Sequence, residues 1–420
     1  MNLFEHQKTA LEQTKDQNRV AYYLDMGLGK TFVGSEKMHD LDAKVNLVVC
    51  QKSKVQDWLD HFKEYYDIRT YDLTKPKELS EFHGIAMGER FHCIGVINYD
   101  LIFRRPELSQ LKDFTLMLDE SSLIQNETSK RSKFILKKLN PANAILLSGT
   151  PTGGKYEKLW SQCRLIGWKI SKEAFWSTYV NFHWDDSNGF PRRVVDGYKN
   201  VERLKRKLRE HGAVFMKSEE VFDLPAQIDS RIYVPTIPEY RKFRKDSIVN
   251  FQNIEFVGDT ALTKRLYEKM LCGYVNKYKL SALKDLLEST DDRVIIFYNF
   301  NNEFAAITDL IAELERPISI VNGDIKDLED YELYENSVTL IQYQAGSMGL
   351  NLQKANKIVY FTPTDTSELF EQSKKRIHRI GQDRTCFYYY LICRNSVEEK
   401  IYRTLAMRKD YTDELYEEDK

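Results

Sequence analysis

Arg19–Thr31, RVAYYLDMGLGKT, joins an apolar run to a glycine-flanked lysine and then to a helical stretch. The run Arg19 to Leu24, bounded by Asp25 and Gly27, reads as a buried strand. Gly27 and Gly29 let the backbone after it fold around phosphate oxygens, and the helix start offers free N–H groups. Lys30 is then placed to reach the β- and γ-phosphates of a nucleotide, and Thr31 to ligate magnesium. The strict G-x-x-x-x-G-K-T spacing is not met, because Leu24 stands where its first glycine belongs. The compact core Gly27-Leu28-Gly29-Lys30-Thr31 is intact.

Working outward, Lys44–Cys50, Cys93–Asn98, Phe114–Asp119 and Ala144–Ser148 are further short apolar runs separated by amphipathic stretches. That alternation predicts a parallel sheet wrapped by helices. Val55, Trp58, Leu59 and Phe62 recur at helical spacing and place Trp58 in a core-facing stripe. Leu116–Ser122, LMLDESS, puts two acids at a strand's end. Asp119 is positioned there to hold Mg²⁺ through water, and Glu120 to accept a proton from an attacking water. The next strand ends in LLSGTP, which sets Ser148 and Thr150 at the carboxyl edge, where open α/β sheets bind ligands.

From Gly153 to about Leu224 the strand signals stop and the chain becomes helical, aromatic and locally basic. In YKNVERLKRKLREHG, Val201, Leu204 and Leu208 form an apolar seam surrounded by Lys205, Arg206, Lys207 and Arg209. This segment is expected to be a helical insertion or linker that adds no third sheet. The alternation returns in Arg293–Tyr298, Ile318–Asn322, Val338–Tyr343, Lys357–Phe361 and Phe387–Ile392. The expected architecture is therefore α/β with a first lobe over 1–152, a linker over 153–227 and a second lobe over 228–420, with a helical lead-in and a C-terminal helix. Within that second lobe QSKKRIHRIGQ, Gln372–Gln382, is expected to be helical, with Gln372, Arg376 and Arg379 on one face. One reading is a solvated basic face. The other is that both guanidiniums converge on the anion bound by the first lobe, so that hydrolysis requires closure.

The chain has 420 residues, 42% apolar and 30% charged, with ten prolines and a net charge of −1. Such a chain affords two cores and shows no disorder or low-complexity signature. A near-neutral balance confines any nucleic-acid site to a local basic groove. The six cysteines include no C-x-x-C pair, so neither a zinc site nor a disulfide framework is indicated and reduced, structural thiols are expected. No signal peptide and no membrane-spanning run is evident, and a soluble, intracellular protein is the expectation.

The ordered set LFEHQ (Leu3–Gln7), DMGLGKT (Asp25–Thr31), LVVCQKSKVQDW (Leu47–Trp58), VINYDLI (Val96–Ile102), LDES, LLSGTP, VIIFYNF (Val294–Phe300), IVNGD (Ile320–Asp324), AGSMGLNL (Ala345–Leu352) and QSKKRIHRIGQ resembles the Swi/Snf-like family of superfamily-two helicase-type ATPases. FMKSEEVFDLPAQIDSRIYV, Phe215–Val234, looks like that family's bridge between lobes. The resemblance implies two RecA-like lobes, ATP and Mg²⁺ as cofactors and DNA, in duplex form, as partner. It assigns Gln7 to the adenine edge and Gly27, Leu28, Gly29, Lys30 and Thr31 to the phosphates. Thr31 and Asp119 would hold the metal, and Glu120 would complete the Walker B pair. Gln372, Arg376 and Arg379 would complete the site from the second lobe. Gln51, Lys52, Ser53, Asn98 and Tyr99 would touch DNA, and Gly346, Gly349 and Asn351 would link nucleotide state to DNA grip. Three positions depart from the family pattern: Ser122 replaces a histidine, Gln344 a basic residue and Asp365 a tryptophan. The implied activity is ATP-driven translocation on duplex DNA without strand separation. An ATP-switched DNA clamp or a true DNA or RNA helicase is the alternative. A minimal motor in the cytoplasm of a bacterial or phage-infected cell, associated with the nucleoid and without membrane contact, is the accompanying expectation.

Overall fold

β1 (Arg19–Leu24) is buried at almost every position because parallel neighbours flank it and helices cover both faces, as its apolar sequence requires. The computed structural model describes residues 2–88, 91–186, 191–251, 254–345 and 350–416. These fall into two compact units, residues 1–221 with 410–420, and residues 222–409. In the first unit β1 is followed by β2 (Val45–Cys50), β3 (Arg69–Asp72), β4 (Cys93–Asn98), β5 (Thr115–Asp119) and β6 (Asn143–Leu147). Beyond these come a hairpin, β7 (Val180–Asp185) with β8 (Arg192–Tyr198), and then β9 (Ala213–Met216). The main sheet is seven-stranded, all parallel, in the order β3-β4-β2-β5-β6-β1-β9. This order makes β5, β6 and β1 consecutive neighbours. Their carboxyl ends, scattered over more than a hundred residues of sequence, therefore meet at one edge.

The segment 153–227 departs from its expected character. It contains the hairpin β7–β8, and β9 extends the first sheet by pairing along β1. Ala213–Met216 is only four residues long and follows a strongly amphipathic helix, so no period-two run announces it. The expected lobe boundaries at 152 and 227 shift accordingly, to a division at 221/222 and a second crossing at 409/410. The helix Val201–Glu210 does bury Leu204 and Leu208, but Lys205 is buried too, at 1% exposure, with Nζ donating to Glu202. Its basic face thus loses one of the four cations expected on it.

The second unit opens with β10 (Gln227–Val234), whose alternating polar sequence pairs along the whole of a later strand. A small hairpin, β11 (Ile248–Phe251) with β12 (Ile254–Val257), and the helices Ala261–Cys272 and Lys277–Glu288 precede the sheet proper. That sheet adds β13 (Val294–Tyr298), β14 (Ile318–Val321), β15 (Lys326–Asp327), β16 (Val338–Gln342), β17 (Lys357–Tyr360) and β18 (Cys386–Cys393). Its order is β10-β18-β17-β13-β16-β14-β15, parallel except for the last pair. All six cysteines are buried thiols. Cys272 and Cys393 lie beside the fully buried ion pair of Lys279 with Glu398.

Glu303, in the first turn of the helix Asn301–Glu313, is wholly buried. Its Oε2 accepts from the backbone N–H of Asn299 at 2.8 Å and of Phe300 at 3.2 Å, and from Thr362 Oγ1 at 2.9 Å. Burial pushes the carboxyl up from 4.5 to about 7, against these donors and the nearby Lys279 ammonium. A pKa raised by folding means that the stabilisation is complete below about pH 4.5 and is lost as pH rises through 7. The second unit is expected to lose up to about 3 kcal/mol of stability between those limits through this group. Calorimetric unfolding of Glu303→Gln should show a flatter dependence on pH between 5 and 8 than the parent. Parallel curves for the two proteins would show that Glu303 does not titrate there.

Candidate nucleotide-binding site

The glycine loop emerges from β1 as the sequence predicts. Gly29 caps the helix Lys30–Asp40 in the left-handed region, φ +74°, and a Cβ there would collide with the Gln7 side chain. Gln7 is 3% exposed, donates from Nε2 to the Leu28 carbonyl at 3.1 Å and accepts from Phe4 N–H at 2.9 Å. Its amide thus ties the first helix, Glu5–Glu12, to the phosphate loop. Lys30 Nζ donates to the carbonyls of Leu24, at 2.9 Å, and Asp25, at 3.2 Å, which holds the ammonium over the loop. A Cβ on Gly149, at the end of β6, would stand 3.2 Å from that ammonium. The loops after β1 and β6 are therefore in contact.

The end of β5 completes the arrangement. Asp119 Oδ2 accepts the indole N–H of Trp58 at 2.9 Å, and Glu120 Oε1 accepts two hydroxyls, Ser122 Oγ and Ser148 Oγ, each at 2.7 Å. Glu120 adopts φ +58°, a left-handed conformation rare for a side chain of its size and typical of strained functional turns. Burial raises the pKa of both carboxyls; Trp58 and the Lys30 ammonium counter it at Asp119, and the two serine hydroxyls and Lys30 counter it at Glu120. A cation bound at Asp119 would reverse that desolvation cost. The oxygen donors of Thr31 and Asp119 suit a hard divalent ion such as Mg²⁺.

Two of these contacts were not foreseen. Trp58 does lie in the core, at 2% exposure, but its indole also orients Asp119. Ser122, noted only as a departure from a histidine, becomes a donor to Glu120. The i to i+2 spacing in D-E-S-S was the available signal, since a left-handed Glu120 folds Ser122 back onto its carboxylate. Asn98 and Tyr99, expected at a DNA surface, are 3% and 2% exposed. The Tyr99 hydroxyl donates to the Asp119 carbonyl at 3.0 Å, so this stretch braces the acidic turn from within instead of facing a polyanion. Lys52 and Ser53 are exposed at the start of the helix Val55–Tyr65, and Gln51 is half-buried. Asn351 is exposed, while Gly346 and Gly349 lie outside the described residues.

In the second unit the helix Ser367–Lys374 carries Gln372 and then stops. Arg376 and Arg379 follow in turns, so the expected single helical stripe does not form. The Tyr388 hydroxyl takes the Lys374 carbonyl at 3.1 Å, and the Gln382 amide gathers the carbonyls of Ala355 and Gln353 at 2.8 and 3.1 Å. Gly381, at φ +90°, turns the chain. These tertiary contacts outcompete the next helical turn. Arg376 is 1% exposed, with Nη1 3.4 Å from the Leu350 carbonyl and no partner for Nε among the described residues. Burial, with Arg379 adding repulsion, lowers its pKa to about 10, and burial lowers that of the half-buried Arg379. Asp365, the departure from tryptophan, pairs with Arg265 and with Lys269, the latter at 3.1 Å.

Residues 17–275 match the SNF2-related domain, and residues 278–381 match the helicase conserved C-terminal domain. The chain is 24% identical to the ISWI chromatin-remodeling complex ATPase ISW1 of Saccharomyces cerevisiae, over 92% of this chain and 38% of that protein. It is 22% identical to the DNA annealing helicase and endonuclease ZRANB3 of Mus musculus, over 92% of this chain and 38% of that protein. To an uncharacterized ATP-dependent helicase of Mycoplasma pneumoniae it is 23% identical, over 94% of this chain and 40% of that protein. It thus spans 38% to 40% of the length of these relatives. Among solved structures, the Sulfolobus solfataricus SWI2/SNF2 ATPase core in complex with dsDNA aligns with a TM-score of 0.46 at 21% identity, covering 98% of this chain and 92% of that one. The SNF2-related match over residues 17–275 takes in most of the 420 residues, the helicase C-terminal match adds residues 278–381, and the chain belongs to the SNF2-related family of superfamily-two ATPases, with RecA-like α/β sheets in both units.

Proposed function

We propose that the protein is a DNA-stimulated ATP hydrolase that moves along duplex DNA without separating its strands. The observation that carries the reading is the meeting of Lys30, Asp119, Glu120 and Ser148 at the adjoining ends of β1, β5 and β6 in a chain of this family. Gly27 to Thr31 cradle the phosphates through backbone N–H groups, and Lys30 exchanges its two carbonyl partners for phosphate oxygens. Thr31 and Asp119 would hold Mg²⁺, which when bound neutralises charge on the β- and γ-phosphates. Glu120 takes the proton of the attacking water. With Oε1 occupied by two hydroxyl donors, Oε2 is the oxygen that receives it. Gln7 faces the base. Arg376 and Arg379, with Gln372, answer the charge on the transferred phosphoryl group. Lys52 and Ser53, both exposed, and Asn351 are the groups offered to DNA phosphates.

Support for a DNA partner comes from family membership and from relatives whose names describe chromatin remodelling and DNA annealing. Phosphate tracking reads no bases, so stimulation should be insensitive to sequence and fall with salt. The test is steady-state ATP turnover with no nucleic acid, duplex DNA, single-stranded DNA and RNA, the largest rate being expected with duplex. A paired assay follows displacement of a triplex-forming strand and unwinding of a forked duplex. Displacement without unwinding is the expected result. Unwinding without displacement would make the protein a helicase, and neither, despite DNA-stimulated turnover, a clamp.

A further inference from the structure

Tyr416 lies 267 residues after Gly149 in sequence, yet its hydroxyl donates to the Gly149 carbonyl at 3.0 Å inside the first unit. The end of the helix Val397–Tyr416 is firmly seated there. Leu415 and Tyr416 belong to the core around the first sheet, and the Tyr416 ring meets Phe215 of β9 edge-on at 5.3 Å. The Tyr156 hydroxyl donates to the Tyr411 carbonyl at 2.6 Å and to Glu414 at 3.1 Å, and Lys217 pairs with Asp413 at 3.2 Å. Burial keeps the Tyr416 phenol neutral, and so a donor.

Gly149 is the middle of a turn with two active neighbours. Ser148 Oγ donates to Glu120 Oε1 at 2.7 Å and accepts from Thr150 N–H at 3.2 Å, while a Cβ on Gly149 would stand 3.2 Å from Lys30 Nζ. A peptide whose carbonyl is pinned on one side cannot rotate freely, so the pin also sets the direction of the Ser148 hydroxyl. We propose that Tyr416 is a positioning residue for hydrolysis, holding the Ser148–Gly149–Thr150 turn so that Ser148 keeps its hydrogen bond to the Glu120 carboxylate. The role rests on the reading of Glu120 as general base. It makes turnover depend on a helix end far from the phosphate loop in sequence.

In the full chain, Tyr416→Phe keeps the ring and removes the donor. The expected result is a fall in kcat of about tenfold, with KM for ATP nearly unchanged. Ser148→Ala should lower kcat in the same way, and adding Tyr416→Phe to it should change nothing further, because the tyrosine acts through the serine. Unchanged kcat in Tyr416→Phe, or additive losses in the double variant, would overturn the role. If Glu120→Gln is inactive while Tyr416→Phe equals the parent, only the tyrosine's part is rejected. If the parent hydrolyses no ATP, the reading of the site falls with it.

Discussion

Glu120→Gln is expected to abolish steady-state ATP turnover, by about 10² to 10⁴-fold or more, while ATP still binds. The amide keeps the volume of the carboxylate and still accepts the hydroxyls of Ser122 and Ser148, so the turn around φ +58° is preserved. What it loses is the basic oxygen that takes the proton from water. Lys30→Ala should lose turnover equally but also lose affinity, because the ammonium meets phosphate in the ground state. Turnover of a radiolabelled γ-phosphate measured beside equilibrium binding of a fluorescent ATP analogue separates the two. Near-parental hydrolysis by Glu120→Gln would remove Glu120 from the mechanism.

Arg379→Ala should lower kcat by about 10³ to 10⁵-fold, the range associated with an arginine that stabilises a phosphoryl group in transfer. Nucleotide affinity should change far less, since that charge develops mainly in the transition state. Arg379 is the cleaner probe of the pair. Arg376 is almost wholly buried, so its removal also leaves a cavity and frees the Leu350 carbonyl, and a loss of activity would be mixed with a loss of stability. Single-turnover hydrolysis by Arg379→Ala at saturating ATP is the deciding measurement. A rate within a few-fold of the parent would leave the second unit without its proposed catalytic part.

The fold class, the strand ends that bear the phosphate loop and the acidic pair, and ten of the strands of the two main sheets were legible in the residues. These features are local. A buried parallel strand must be apolar throughout, and a loop that wraps phosphate needs glycine before its lysine, whatever surrounds them. β3 and β9, four residues each, and the polar β10 carried no such mark because their pairing partners, not their own composition, make them strands. The same holds for the helix that stops at Lys374. The residues after it have helical spacing, but carbonyl contacts from Tyr388 and Gln382 hold them in turns. Burial of Asn98, Tyr99 and Lys205 likewise depends on neighbours distant in sequence. The site shows the division most clearly. Lys30, Asp119 and Glu120 were evident as residue types at strand ends, whereas their meeting depends on the order β5-β6-β1. The donors that orient the acids, Trp58, Ser122, Ser148 and through Gly149 the distant Tyr416, are set by tertiary packing, because a hydrogen bond between side chains records distance in space and leaves no period in sequence.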